Sequence, residues 1–183
     1  MKSTLQQKIL LGCLLVLLVV SGSPAELRAA APSQEYQLKL AFLVNFARFI
    51  TWPESSFTAT QGALTVCVVG QNPFGDELRK IESRKIGEHQ LQTILVDPEA
   101  PIAQCHLLFV SSTVSRQIPQ LFEAINQLPV VTVSDIPGFS DQGGGIELVL
   151  KQDRLTFIVN NSRLKNLGIQ AASPMLNLAV EVR

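Results

Sequence analysis

Three short runs of apolar, largely β-branched residues constrain this chain most: Leu64-Thr-Val-Cys-Val-Val69, Leu107-Leu-Phe-Val110 and Pro129-Val-Val-Thr-Val133. None of them alternates apolar with polar. A strand that reads this way is buried on both faces, which is the position of a strand in a parallel sheet with helices above and below. Between the first two runs, Asn72 stands where a helix cap would, with Pro73 at the first helical position and Asp76-Glu77 in the first turn. Gln90 to Val96 then reads as another strand. A further helix is expected to run to Gln127, disturbed by Pro119. After Asp135 the character changes. Gly143-Gly144-Gly145 leads into Ile146–Leu150, Gln152-Asp153 turns the chain, and Arg154–Val159 returns, as in an antiparallel hairpin. Short helices from Asn161 to Leu167, stopped by Gly168, and from Ser173 to Ala179 complete the order. The expected fold is α/β: a single three-layer domain with a mixed sheet, parallel in its first half, with an antiparallel hairpin edge.

A helix over Glu35–Ile50, stopped by Trp52-Pro53, precedes all of this. Its polar residues Gln37, Asn45 and Arg48 fall on one narrow stripe, with Lys39 off to the side. Apolar residues cover most of the remaining circumference, wider than the single face a surface helix needs. The helix is therefore expected to be buried on two sides. Leu43, Phe46 and Ile50 are the candidate residues to divide between the core and a partner or self-association surface.

The first 31 residues read as an export signal. A short polar start with Lys2 and Lys8 is followed by the apolar run Ile9–Val20 and then by Ser21-Gly22-Ser23-Pro24-Ala25. Cleavage fits after Ala25 or after Ala31, leaving residues 32–183 as the domain. Leu10-Leu11-Gly12-Cys13 looks like a lipoprotein box, but apolar residues continue beyond Cys13, so Cys13 reads as part of the signal. Export would leave two cysteines, Cys67 and Cys105. An even pair in an oxidising compartment reads as a disulfide. Free thiols, or a metal held with His106, are the alternatives; three ligands without a fourth make a poor zinc site.

The rest of the sequence excludes more than it suggests. Fifteen basic residues balance 15 acidic ones, so there is no electrostatic footprint for nucleic acid. Gly70-x-x-x-x-Gly75 sits between a strand and a helix but is followed by Asp76-Glu77, which would repel phosphate. His89 and His106 have no nucleophile or orienting acid at a recognisable spacing. Neither G-x-S-x-G nor H-E-x-x-H occurs. No catalytic residue, metal or cofactor is expected, and the chain reads as a non-enzyme. One constellation has positive weight. The parallel strands end in Gly70-Gln71-Asn72, Ser111-Ser112-Thr113 and Ser134-Asp135, and ligands of open α/β sheets lie beyond such ends. Asn72, Ser111, Ser112, Ser134 and Asp135 are the candidate residues for a small polar ligand.

Several segments are similar to a known family. They are Leu38-x-x-Ala41-Phe42-Leu43-x-Asn45-Phe46-Ala47-x-Phe49-Ile50-x-Trp52-Pro53 and Cys67-Val-Val-Gly70-x-Asn72-Pro73-Phe74. Further on come Cys105-His106-Leu107-Leu108-Phe109-Val110, Val131-Thr132-Val133-Ser134-Asp135, Gly143-Gly144-Gly145-Ile146 and Phe157-x-x-Asn160. In this order, over about residues 36–180, the chain resembles the YfiR family of exported bacterial proteins. The resemblance implies a periplasmic repressor. Its partner would be the periplasmic sensor region of a membrane-bound diguanylate cyclase of the YfiN type, or a related membrane sensor protein. Binding would restrain cyclic-di-GMP synthesis and biofilm formation. Cys67 and Cys105 fit the family's structural disulfide, whereas the second cysteine pair of some members has no counterpart here. A homodimer is compatible with the same reading. The alternative is a periplasmic small-molecule-binding module serving another signalling or transport protein.

Overall fold

The computed structural model describes residues 33–183, so the signal segment and its cleavage site lie outside the described residues. Helix α1 (Gln34–Phe49) is capped by Ser33, whose hydroxyl accepts from Tyr36 N. It runs directly into a two-residue strand, β1 (Ile50–Thr51). The strands β2 (Leu64–Val69), β3 (Lys85–Ile86), β4 (His89–Val96) and β5 (Leu107–Val110) follow. Next come α2 (Ile118–Ala124), β6 (Val131–Ser134), β7 (Ile146–Lys151) and β8 (Arg154–Val159). The chain closes with α3 (Asn161–Asn166), β9 (Gln170–Ala171), α4 (Ser173–Leu178) and β10 (Glu181–Val182).

Eight strands form one sheet in the order β10-β8-β7-β6-β5-β2-β4-β3. From β4 through β7 neighbouring strands are parallel, and β7–β8 is the antiparallel hairpin, with Leu148 opposite Phe157. The α/β class, the mixed sheet and the hairpin at its edge agree with the sequence. Every residue of β2, β5 and β6 is buried, because both faces are covered. On one face α1 lies over Val66, Val68, Phe109, Val133, Ile146 and Phe157. On the other, α2 and the preceding 3₁₀ turn (Ser112–Gln117) cover Val69, Leu108 and Val110. Cys67 and Cys105 are joined there as a disulfide with their Cα atoms 5.8 Å apart.

Two helices expected from the sequence differ. No α-helix follows Asn72; two short 3₁₀ turns, Gly75–Glu77 and Arg79–Ile81, take its place. The Asn72 side chain closes on its own turn, with Oδ1 accepting from Phe74 N at 2.9 Å and Nδ2 donating to Gly75 O. Gly75 has φ +55°, which ends any α-helical run. The ring of Phe74 is driven fully into the core, edge-on to Tyr36 and Phe109. The helix toward Gln127 is α-helical only over Ile118–Ala124, where Pro119 occupies its first turn and starts the helix rather than disturbing it. Four short strands had no sequence signal: β3 pairs antiparallel with β4, β10 adds outside the hairpin, parallel to β8, and β9 pairs antiparallel with β1, so the chain returns to the end of its first helix.

Candidate functional site

Helix α1 shows which of its residues can meet a partner. Leu43, Phe46 and Ile50 are 0%, 2% and 6% exposed. All three point inward, so they do not divide between core and surface as expected. The expected polar stripe is outside: Gln37, Asn45 and Arg48 are exposed. Alongside it lie Leu38, 48% exposed, and Phe49, 39% exposed, with the half-buried Phe42 between them. At about 100° per residue these three fall within about 40° of one another around the helix. The outward apolar positions are thus Leu38, Phe42 and Phe49.

This stripe continues onto neighbouring elements. Phe42 meets Phe157 with ring centroids 5.9 Å apart. One helical turn toward the N-terminus is Leu38; two residues along β8 in the same direction is the half-buried Leu155, with exposed Leu150 paired opposite it. At the other end Phe49 O accepts from Ala172 N, and Val180 N donates to Phe157 O. That brings the exposed Leu178, Val180 and Val182 to the same side as α1. Most of the large apolar side chains exposed in the described residues therefore gather on one side of the molecule. A concentration of this kind is characteristic of an interaction surface.

The strand-end residues come together as expected, at the C-terminal ends of β2, β5 and β6, but their polar atoms serve the fold. Asp135 Oδ2 accepts from Lys39 Nζ at 2.5 Å and from the Tyr36 hydroxyl at 3.0 Å. Lys39, almost fully buried, also bonds Glu35 at 2.5 Å and lies 4.3 Å from the centroid of the Tyr36 ring. Burial pulls the Lys39 pKa down, but its hydrogen bonds to Asp135 and Glu35 outweigh that and leave it above the ordinary lysine value. Burial, then the Asp135 charge, raises that of Tyr36. Ser134 Oγ donates to Val110 O and accepts from Ile136 N. Ser111 Oγ accepts from Thr113 N and from its hydroxyl, and Thr113 Oγ1 accepts from Gln71 N. Ser112 is exposed, and Asn72 is held within its turn. The Lys39–Asp135 pair was not anticipated. Its signal was a lysine lying among the buried positions of an amphipathic helix, which calls for an acid from elsewhere in the fold.

His106 is also structural. Its Nδ1 accepts from Thr65 N and its carbonyl from Trp52 Nε1. The ring stacks on Phe57 at 4.4 Å, and Phe57 stacks on His89 at 3.9 Å. Nε2 faces the Ser56 backbone without a well-formed hydrogen bond. Burial, assisted by the charge of His89, pushes its pKa down to about 4, so the ring is neutral at pH 7. Among the described residues no group of three or more His, Cys, Asp or Glu could hold a metal ion, and no helix is long and apolar enough to cross a membrane.

A family model described as YfiR/HmsC-like, DUF4154, matches residues 36–180, nearly the whole described chain. No curated protein matches it.

Proposed function

Because the chain belongs to the YfiR/HmsC-like family, we propose that it is a non-catalytic periplasmic regulator. It binds the periplasmic sensor region of a membrane-bound diguanylate cyclase, or of a related membrane sensor, and restrains cyclic-di-GMP synthesis. The observation that carries this reading is the apolar stripe of Leu38, Phe42 and Phe49, continued by Leu150 and by Leu178 and Val180. The buried Leu43, Phe46 and Ile50 hold the stripe in place from beneath. The disulfide supports an oxidising compartment. The Asp135 carboxylate and His106 Nδ1 are engaged in bonds within the fold, which supports a structural role for both.

The test is a charge placed on the stripe. Leu38→Glu and Phe49→Glu should leave the fold intact, since both positions face water, and should abolish pull-down of the cyclase sensor region. In cells carrying the cyclase, either variant should raise cyclic-di-GMP to the level of a strain lacking this protein. Full binding by both variants would sink the assignment of this face. If the variants changed self-association in the ultracentrifuge and left the sensor region bound, the stripe would instead be a homodimer surface.

A further inference from the structure

A cavity of about 600 Å³ opens at the opposite end of the sheet from Asp135. Asn126 and Gln127, just after α2, form one wall; Asn160, Ser162, Arg163 and Asn166, at the β8–α3 corner, form the other. Its volume is that of an ordinary small-ligand site. Arg163 supplies the one charge in these walls, and among the described residues no carboxylate pairs with it. Its Nε and Nη2 are shut off from water and have no hydrogen-bond partner. Its guanidinium carbon lies 5.6 Å from the centroid of the Phe122 ring, which in turn packs against Phe139. Burial lowers the pKa of Arg163, the mark of a cation that has lost water and gained no counter-charge. Such a group is costly to keep in a fold unless something completes it.

The walls say what would complete it. Nη1, the guanidinium nitrogen that is not closed off, can donate to a carboxylate in the cavity, and a small turn of the side chain brings Nη2 beside it to complete the two-point fork. One cation among amides and a hydroxyl balances a single negative charge and has nothing to offer the second charge of a phosphate dianion. Asn160 Oδ1 is already taken by Arg163 N at 3.0 Å, which leaves its amide hydrogens to donate to a ligand. We propose that this cavity binds a small monoanionic polar solute, its carboxylate received by Arg163 and its neutral polar groups by the surrounding amides. The inference goes beyond the regulatory reading and does not depend on it, because no residue of the apolar stripe lines the cavity and all the lining residues belong to one chain.

The probes are D-glucuronate, L-lactate and N-acetylglycine, with D-glucose and inorganic phosphate as controls at matched ionic strength. At least one of the three carboxylates should saturably shift the Arg163 Nε–H resonance and raise the melting temperature below about 50 mM. Glucose should do neither, and phosphate should bind at least about tenfold more weakly. Arg163→Met should remove the response. Should that variant fail to fold, Asn126→Asp is the second arm. It sets a carboxylate in the cavity wall, and should melt higher than the parent and lose at least about tenfold in affinity for the added anion. The proposal is overturned if no carboxylate gives a saturable shift, or if Asn126→Asp or a folded Arg163→Met responds like the parent. Phosphate binding as tightly as the carboxylates would overturn the choice of a monoanion.

Discussion

Asp135 stands at the end of β6, where a ligand would be sought, yet it is held by α1. Replacing Lys39 by Met leaves the mostly buried Asp135 carboxylate with only the Tyr36 hydroxyl, 3.0 Å away. Breaking one side of such a buried pair typically costs about 3–5 kcal/mol, and the surviving hydroxyl places Lys39→Met near about 3 kcal/mol. Asp135→Asn is milder, since Lys39 keeps Glu35 at 2.5 Å, and Glu35 is half-exposed and hydrated; about 2 kcal/mol is expected. The double variant leaves no orphaned charge and should recover to within about 1 kcal/mol of the parent. The two sites should thus couple by about 3 kcal/mol or more, of the sign that makes the pair less harmful together than the sum of the singles. For a domain of this size Lys39→Met should lower the melting temperature by about 6–12 °C. Urea unfolding is followed by circular dichroism and by the fluorescence of Trp52, the single tryptophan. If the two losses add to within about 0.5 kcal/mol, the pair is not energetically coupled and Asp135 is free for another role.

His106 ionises near pH 4 when folded and near 6.5 when unfolded, so the unfolded chain takes up the proton first. Its contribution is intact above pH 6.5 and lost as pH falls to about 4, by about 3 kcal/mol in all; His106→Gln should flatten that part of the stability–pH curve, and an unchanged slope would refute the assignment. Reducing Cys67–Cys105, which closes a 38-residue separation, should lower stability by about 3–4 kcal/mol in urea unfolding with and without reductant. Gly144→Ala would bring a methyl group to 2.7 Å from the Phe139 carbonyl and closer still to its ring; it should destabilise by more than about 2 kcal/mol, and a melting temperature equal to the parent's would contradict that packing.

The sequence was most informative where burial left one solution. The continuous apolar runs of β2, β5 and β6 could only be covered strands, and Gln152-Asp153, both with φ above +50°, marked the hairpin turn. The polar stripe Gln37–Asn45–Arg48 correctly located the water-facing side of α1. It did not show which apolar neighbours shared that side, because residues at the border of a helix face go in or out according to the shape of the sheet beneath. Phe49 and Ile50 are adjacent, yet one is exposed and the other buried. The strand-end serines and Asn72 were expected to receive a ligand, but short polar side chains satisfy nearby backbone first, as Ser134 and Asn72 do. The Arg163 cavity was not legible, because its walls come from the stretch after α2 and the β8–α3 corner, brought together only by the fold.

Helix α1 has one more consequence, for the order in which the chain matures. Lys39 meets Asp135 across 96 residues, and Ile50 pairs with Ala171 almost at the other end of the chain. A polypeptide delivered N-terminus first thus presents this helix well before the last of the surfaces that shelter it, those of β6 to β9, exist. Until Asp135 and Ala171 have emerged these contacts cannot form, so the helix stays incompletely docked through most of delivery. A chaperone that shields apolar segments should therefore bind nascent chains ending near residue 130 and let go of those that extend past β8.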